Sequence, residues 1–387
     1  MRSQLLPYGR QWVGEDDLAA VAAVLVSDWL TTGPQVGEFE KVFARFVSAE
    51  EAVAVSSGTA GLHCAMRALE IGPGDEVIVS AMTFAASANC VVYQGGTPVF
   101  ADVDRDTLLL DPDQVERRLS PRTKAILAVD YAGQPCDYDL LRSLAQRHGL
   151  KLVADACHSL GGSYRGRSVG ALADLNVFSL HPVKHITSGE GGVITTHDPA
   201  MAQQMRVFRN HGITSDHRQR EQRGSWFYEM VDLGFNYRLT DFQCALVGSQ
   251  LKKLPAWLDR RRAIARRYDE AFAGMSAVVP LAVRPEVAHA YHLYVVRFDT
   301  TRLQGGRTRI FAALRAEGIG VNVHYVPVHL HPFYRRRFAT APGCCPVAEA
   351  AYEEIISLPM FPRMSDADVN DVITAVQKVV TACIKEG

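Results

Sequence analysis

The chain has 387 residues, 48% of them hydrophobic and 21% charged, with 41 Lys plus Arg against 42 Asp plus Glu. That length points to two packed units, and that composition excludes a disordered chain. A formal charge of −1 gives no electrostatic case for nucleic acid or an anionic membrane as the main partner.

Taken along the chain, 15–27 and 38–47 read as amphipathic helices joined by a turn at 31–34. From 47 to 196, β-rich runs alternate with helix-like segments. The strands are expected at 52–56, 76–80, 98–102, 125–130, 152–155, 177–180 and 193–196, with helices at 61–69, 85–93 and 138–148 between them. Such alternation predicts βαβ units, hence an α/β fold with a mostly parallel sheet covered on both faces. Helices follow at 198–210 and 241–253, the second capped by Thr240. The texture changes near Pro255, which sets the expected domain boundary: 1–254 for the large unit and 255–387 for a smaller α+β unit. The latter has helices at 256–272, 307–317, 348–356 and 366–384 and strands at 292–298 and 321–325. The longest apolar runs are strand-sized, and the first residues lack the apolar region of a secretory leader. The expectation is a cytoplasmic enzyme with no membrane partner. The eight cysteines include no C-x-x-C pair, and no histidine spacing suits a metal, so no metal is expected.

Ligands of open α/β sheets bind at the carboxyl ends of the strands, and four segments place chemistry there. In FSLHPVKHITSGEGG (178–192), a strand ends and Lys184 follows, then a glycine-rich turn. A partly desolvated lysine facing a cleft can form a Schiff base. In LVADACH (152–158), Asp155 ends an apolar strand, where a carboxylate can keep a pyridinium nitrogen protonated, and His158 lies three residues on. In AVSSGTAGLH (54–63), a strand runs through Ser-Gly-Thr into a helix, an anion site built from backbone N–H groups. It is not a Walker loop, and the dinucleotide fingerprint is absent. In SAMTFAASAN (80–89), Phe84 is placed to stack on an aromatic ring. Each segment alone also suits a surface loop, a helix cap or a core side chain. Together they supply a phosphate cup, a stacking ring, a pyridinium acid and an amine, which is what pyridoxal 5'-phosphate (PLP) requires.

With these residues the sequence resembles the DegT/DnrJ/EryC1/StrS family of PLP-dependent sugar aminotransferases, from Tyr8 to about Val379. The resemblance implies a type I aminotransferase fold. It implies that Lys184 is the catalytic residue, binding PLP and shuttling the proton, and that Asp155 pairs with the pyridine nitrogen. His158 would lie on the ring-hydroxyl side, and Gly58, Thr59 and Ser179 would form the phosphate cup. Asn236, in GFNYR (234–238), would reach the site of a partner subunit, making a homodimer with shared active sites. The segments PYGRQW (7–12), SDWLTTGP (27–34), VHYVPVHL (323–330) and ISLPMFP (356–362) narrow the resemblance to the pseudaminic acid branch. There, Tyr8, Asp28, Trp29, Leu30, Thr31, His324, Tyr325, Val326 and Pro327 would contact substrate. That substrate would be a UDP-linked 4-keto-6-deoxy amino sugar, with L-glutamate as amino donor. A perosamine- or bacillosamine-type aminotransferase would share the cofactor residues. A sugar dehydratase of the same family would carry His where this chain has Lys184. The basic runs at 260–267 and 335–337 are expected on solvated faces; the second could also meet a diphosphate.

Overall fold

The computed structural model describes residues 2, 4–215 and 217–384. Thirteen strands are present among them. They are β1 (Glu51–Val55), β2 (Glu76–Ser80), β3 (Thr97–Ala101), β4 (Thr123–Val129), β5 (Lys151–Asp155), β6 (Ser163–Tyr164), β7 (Arg167–Ser168), β8 (Leu175–Ser179), β9 (Gly192–Thr196), β10 (Val278–Pro280), β11 (Val287–Ala288), β12 (Tyr294–Phe298) and β13 (Ile355–Leu358). Seven of them form the central sheet, in the order β1-β9-β8-β5-β4-β2-β3. Only β9 runs antiparallel to its neighbours; the β3-β2-β4-β5-β8 run is parallel throughout. Helices cover both faces, so the sheet strands are almost wholly buried and read as continuous apolar runs. The α/β architecture expected from the alternating pattern is therefore the one observed.

Local chemistry sets the helices that matter for the site. Ser57 accepts the Ala60 amide at 3.0 Å and opens the helix Gly58–Ala68 directly after β1. Gly61 lies where that helix crosses the sheet; a Cβ there would sit 2.8 Å from Val177. Thr240 caps Asp241–Leu251 with Gln243 completing the capping box. The helix expected at 38–47 begins a turn earlier, as Pro34–Phe46. Its cap is distant in sequence: the buried Asp241 carboxylate accepts the Gly33 and Gln35 amides at 2.8 and 2.9 Å.

A second apolar core holds Leu6 with residues of the helix Leu254–Phe272, of β10, β12 and β13, and of the helices Gly306–Ala316 and Asp366–Cys383. Residues 328–355 do not belong to it. Val328, Tyr334, Ala348 and Ile355 pack on the first core with the central sheet. Three expectations fail in this half. The segment 348–356 is not one helix: Pro346–Tyr352 is helical, and the apolar run after it is β13, paired antiparallel with β12. The segment 321–325 is extended but is not a strand. It makes a single bridge, Asn322 to Ser357, and then leaves the small sheet to cross to the central one, where the Val328 amide donates to the Ala81 carbonyl just after β2 at 3.0 Å. The Arg260–Arg267 run is also not wholly solvated. Arg261 is 2% exposed and donates to the carbonyls of Tyr291, His292 and Met360. No helix among the described residues is long and apolar enough to cross a membrane.

Candidate active site

The carboxyl ends of β1, β2, β5 and β8 open onto a cavity of about 510 Å³. Gly58 and Thr59, Phe84, Asp155 and His158, and Ser179 and Lys184 line it from the sheet side. Tyr8, His324 and Tyr325 line it from the other. Ten sequence-marked residues thus share one space: seven lie at or after strand ends, His324 and Tyr325 lie on the segment that crosses above those ends, and Tyr8 comes from the stretch before the first helix.

Asp155 is 7% exposed at the end of β5. Its Oδ2 accepts from Ser87 Oγ at 2.7 Å and its Oδ1 from the Cys157 amide at 3.2 Å. Ser87 also shares a 2.6 Å hydrogen bond with Thr83 Oγ1. A carboxylate held by two donors in a buried position is fixed in orientation, with lone pairs left for a cationic partner. At the end of β1, Ser57 has taken the Ala60 amide. The Gly58 and Thr59 amides precede any intrahelical acceptor and border the cavity. The approach is close: a Cβ on Gly58 would lie 3.0 Å from Ser179 Cβ and 3.3 Å from Cys157 Sγ.

Lys184 sits on a turn after β8, its amide donating to the His181 carbonyl at 2.9 Å. Burial lowers the pKa of its amine from the usual 10.5, opposed by Cys157 and Asp155 nearby. Desolvation of this kind makes a lysine amine more readily available as a nucleophile and proton carrier. His158 is buried, and its Nε2 shares a 3.1 Å hydrogen bond with the Tyr325 hydroxyl, while its Nδ1 has no partner. Burial, reinforced by Lys184, holds its pKa well below 6.5, so the ring is neutral. His324 is fixed by Ser357 Oγ at 2.8 Å, and its carbonyl accepts from the Tyr131 hydroxyl. Phe84 is 58% exposed, with its ring 5.9 Å from that of Tyr325.

The remaining marked residues lie elsewhere. Val326 and Pro327 lead away from the cavity into the turn Val328–Leu330. Asp28, Trp29, Leu30 and Thr31 do not line it; the Leu30 carbonyl accepts the Asp241 amide at 3.0 Å, and Thr31 bridges to Thr240. Asn236 is exposed and bridges to Asn210. These two segments flank the start of the helix Asp241–Leu251, beside a stretch that exposes Trp226, Phe227, Met230 and Leu233. Ser87, Thr83 and Cys157 were not expected at the site, and neither was His292, whose Nε2 is 3.4 Å from Lys184 Nζ. Cys157 could have been flagged from its place between Asp155 and His158. Ser87 and His292 carry no local signal.

Comparison with known proteins gives this arrangement a family. The family model for DegT/DnrJ/EryC1/StrS aminotransferases matches residues 11–377. Among curated proteins, the spore coat polysaccharide biosynthesis protein SpsC of Bacillus subtilis is 42% identical over 381 residues, covering 98% of each chain. Among solved structures, PseC of Helicobacter pylori, an aminotransferase of pseudaminic acid biosynthesis, is 31% identical with a TM-score of 0.92, over 98% of this chain and 100% of that one. Spr1654 of Streptococcus pneumoniae, in its PLP-form, is 33% identical with a TM-score of 0.92, over 98% and 100% of the two chains. The chain belongs to the DegT/DnrJ/EryC1/StrS aminotransferase family.

Proposed function

We propose that this family member is a nucleotide-sugar aminotransferase that moves the amino group of L-glutamate to C4 of UDP-2-acetamido-2,6-dideoxy-β-L-arabino-hexos-4-ulose. The product is UDP-4-amino-4,6-dideoxy-N-acetyl-β-L-altrosamine, an intermediate of pseudaminic acid synthesis. The cofactor is PLP, which when bound supplies an electron sink for breaking and making bonds at an amine-bearing carbon. The observation that carries the aminotransferase reading is the convergence of Lys184, Asp155 and the Gly58–Thr59 amides on one cavity.

The residues present fit that cofactor. Asp155 offers a buried carboxylate to a ring nitrogen, held in orientation by Ser87 and Cys157. Gly58, Thr59 and Ser179 form a concave edge that a Cβ on Gly58 would crowd, where amides can receive phosphate oxygens. His158 has a buried, unpartnered Nδ1 beside the same space. Lys184 would hold the cofactor through its amine, at the cavity wall that Asp155 and Gly58 share. When the amino donor displaces it, Nζ becomes free to take a proton from the donor's α-carbon and later to deliver one to sugar C4. Delivery from one side fixes the configuration at that carbon.

The choice of sugar is supported by Tyr8 and His324. Their rings lie 5.3 Å apart at the cavity wall, in the segments that resemble the pseudaminic branch, and PseC is among the structural relatives. A second reading, another nucleotide-sugar 4-aminotransferase of the perosamine or bacillosamine type, is favoured by the higher identity to SpsC, a spore coat polysaccharide biosynthesis protein. The position of Asn236, Asp28, Leu30 and Thr31, exposed beside an apolar stretch and outside their own cavity, with Trp29 half-buried among them, supports a homodimer in which each copy completes the other's site. Incubation with L-glutamate and a panel of UDP-, dTDP- and GDP-4-keto sugars, with products read by mass spectrometry, tests the substrate. The L-arabino UDP sugar should give the highest kcat/KM. A higher value for the D-xylo epimer or for a dTDP or GDP sugar would overturn this choice and leave the aminotransferase reading in place.

A further inference from the structure

The chain's own contact to the Lys184 amine comes from the small unit. His292, 5% exposed just before β12, brings Nε2 to 3.4 Å from Lys184 Nζ. The ring is fixed from several sides. It lies 4.4 Å from the ring of His158 and 5.7 Å from that of His185. Its backbone carbonyl accepts from the buried Arg261, which also donates to the carbonyls of Tyr291 beside it and of Met360. Beneath it, Gly133 approaches so closely that a Cβ would lie 2.9 Å from the His292 amide nitrogen.

The chemistry of the pair is constrained. An ammonium has donors only, and an imidazole nitrogen accepts only when it carries no hydrogen. When Lys184 is charged, the contact therefore requires a neutral His292 accepting at Nε2 and protonated at Nδ1, the atom left without a partner. The surroundings enforce neutrality. Burial opposes the imidazolium, and the groups that face it are Lys184 from the turn after β8, His158 from the end of β5, His185, and Arg261 from the helix Leu254–Phe272; these hold its pKa well below 6.5. No carboxylate is among those groups; Asp155 acts on the lysine.

We infer that His292 is a positioning residue for transamination, its Nε2 accepting a hydrogen bond from Lys184 Nζ and so stabilising the ammonium that Lys184 becomes when it takes the donor's α-proton. The proton leaves the α-carbon, is held at Nζ, and is given back from there; His292 neither gains nor loses one. With one N–H directed at His292, the other two face the cavity. This inference rests on the function proposed above.

The test compares holoenzymes carrying His292→Phe, which removes the acceptor, and His292→Gln, whose amide oxygen restores one. A hydrogen bond to a charged group at this length is worth about tenfold. His292→Phe should slow the glutamate half-reaction about tenfold and raise its isotope effect with α-deuterated glutamate. It should also lower by about one unit the pH at which the visible band of the lysine-bound cofactor titrates. His292→Gln should recover rate and titration to within about threefold. A folded Phe variant with the wild-type isotope effect and titration overturns the inference, and so does a Gln variant as impaired as Phe. If the Phe variant does not fold, His292→Asn, too short to reach Nζ, takes its place with the same expected losses. A wild-type protein that binds PLP without a visible lysine-bound band overturns the proposed function itself, an outcome distinct from either.

Discussion

Removing the Ser87 hydroxyl should disable the cofactor's acid partner without disturbing the fold. Ser87 is fully buried on the helix Ala86–Tyr93, and its Oγ donates to Asp155 Oδ2 at 2.7 Å. A second, longer hydrogen bond reaches the same carboxylate from the Cys157 amide at 3.2 Å. Ser87→Ala takes away a single oxygen atom and opens little space, so the packing cost is small. The electrostatic cost is larger: a buried hydrogen bond to a charged acceptor contributes about 1.5–3 kcal/mol. If that much of the carboxylate's stabilisation is lost, kcat/KM should fall by about 10- to 100-fold and PLP should be held less tightly. The Thr83 hydroxyl, left without its 2.6 Å partner, can turn toward Asp155 and recover part of the loss, so Thr83→Val with Ser87→Ala should be worse than Ser87→Ala alone. Steady-state kinetics and PLP titration of the three variants measure this. A Ser87→Ala enzyme within twofold of wild type in both kcat/KM and PLP affinity would refute the claim that Ser87 holds the Asp155 carboxylate in place for the cofactor.

Asp130, wholly buried and bonded to Ser159, Tyr138 and the Cys136 amide, has its pKa pushed up by burial from 3.8 to about 6. Its carboxyl in the folded state keeps a proton that the unfolded chain has already released, so its contribution to stability is full below about pH 4 and is lost as pH rises through about 6. The loss amounts to about 3 kcal/mol. Asp130→Asn should remove that dependence, and unfolding curves at pH 4 to 7 that show the same pH slope for wild type and variant would contradict it. Mixed dimers of Lys184→Ala with Asn236→Ala subunits should regain activity that neither parent shows. The two lesions then fall in one site and leave the other whole; confirmed mixing without recovery would place Asn236 in its own subunit's site.

The central sheet was legible because buried parallel strands are short apolar runs punctuated by Gly, Pro, Asp and Ser, and the pattern from 47 to 196 has that form throughout. Asp155, Lys184, Ser179 and the Gly58–Thr59 turn were legible for the same reason: a polar residue directly after such a run lies at the carboxyl edge of the sheet. What could not be read were contacts made across long separations. Ser87 is an ordinary serine on a helix, and only the docking of that helix beside β5 brings it to Asp155. His292 reaches Lys184 across 108 residues. Arg261 sits in a basic run that resembles a solvated helix face, and its burial depends on the carbonyls of two distant segments. The 321–325 run has the composition of a strand. It fails to become one because its bonds to Ser357 and Tyr131 draw it off the sheet edge and over the cavity.

The central claim is that the Lys184 amine serves PLP-dependent transamination, and a single-turnover experiment tests it most directly. Holoenzyme mixed with L-glutamate and no sugar acceptor should lose its visible lysine-bound band and release one 2-oxoglutarate per site. Addition of the UDP-linked 4-keto sugar should then restore the band as a 4-amino sugar forms, and Lys184→Ala should show neither change. A wild-type band that glutamate leaves untouched, or a Lys184→Ala protein that still turns over, would contradict the account.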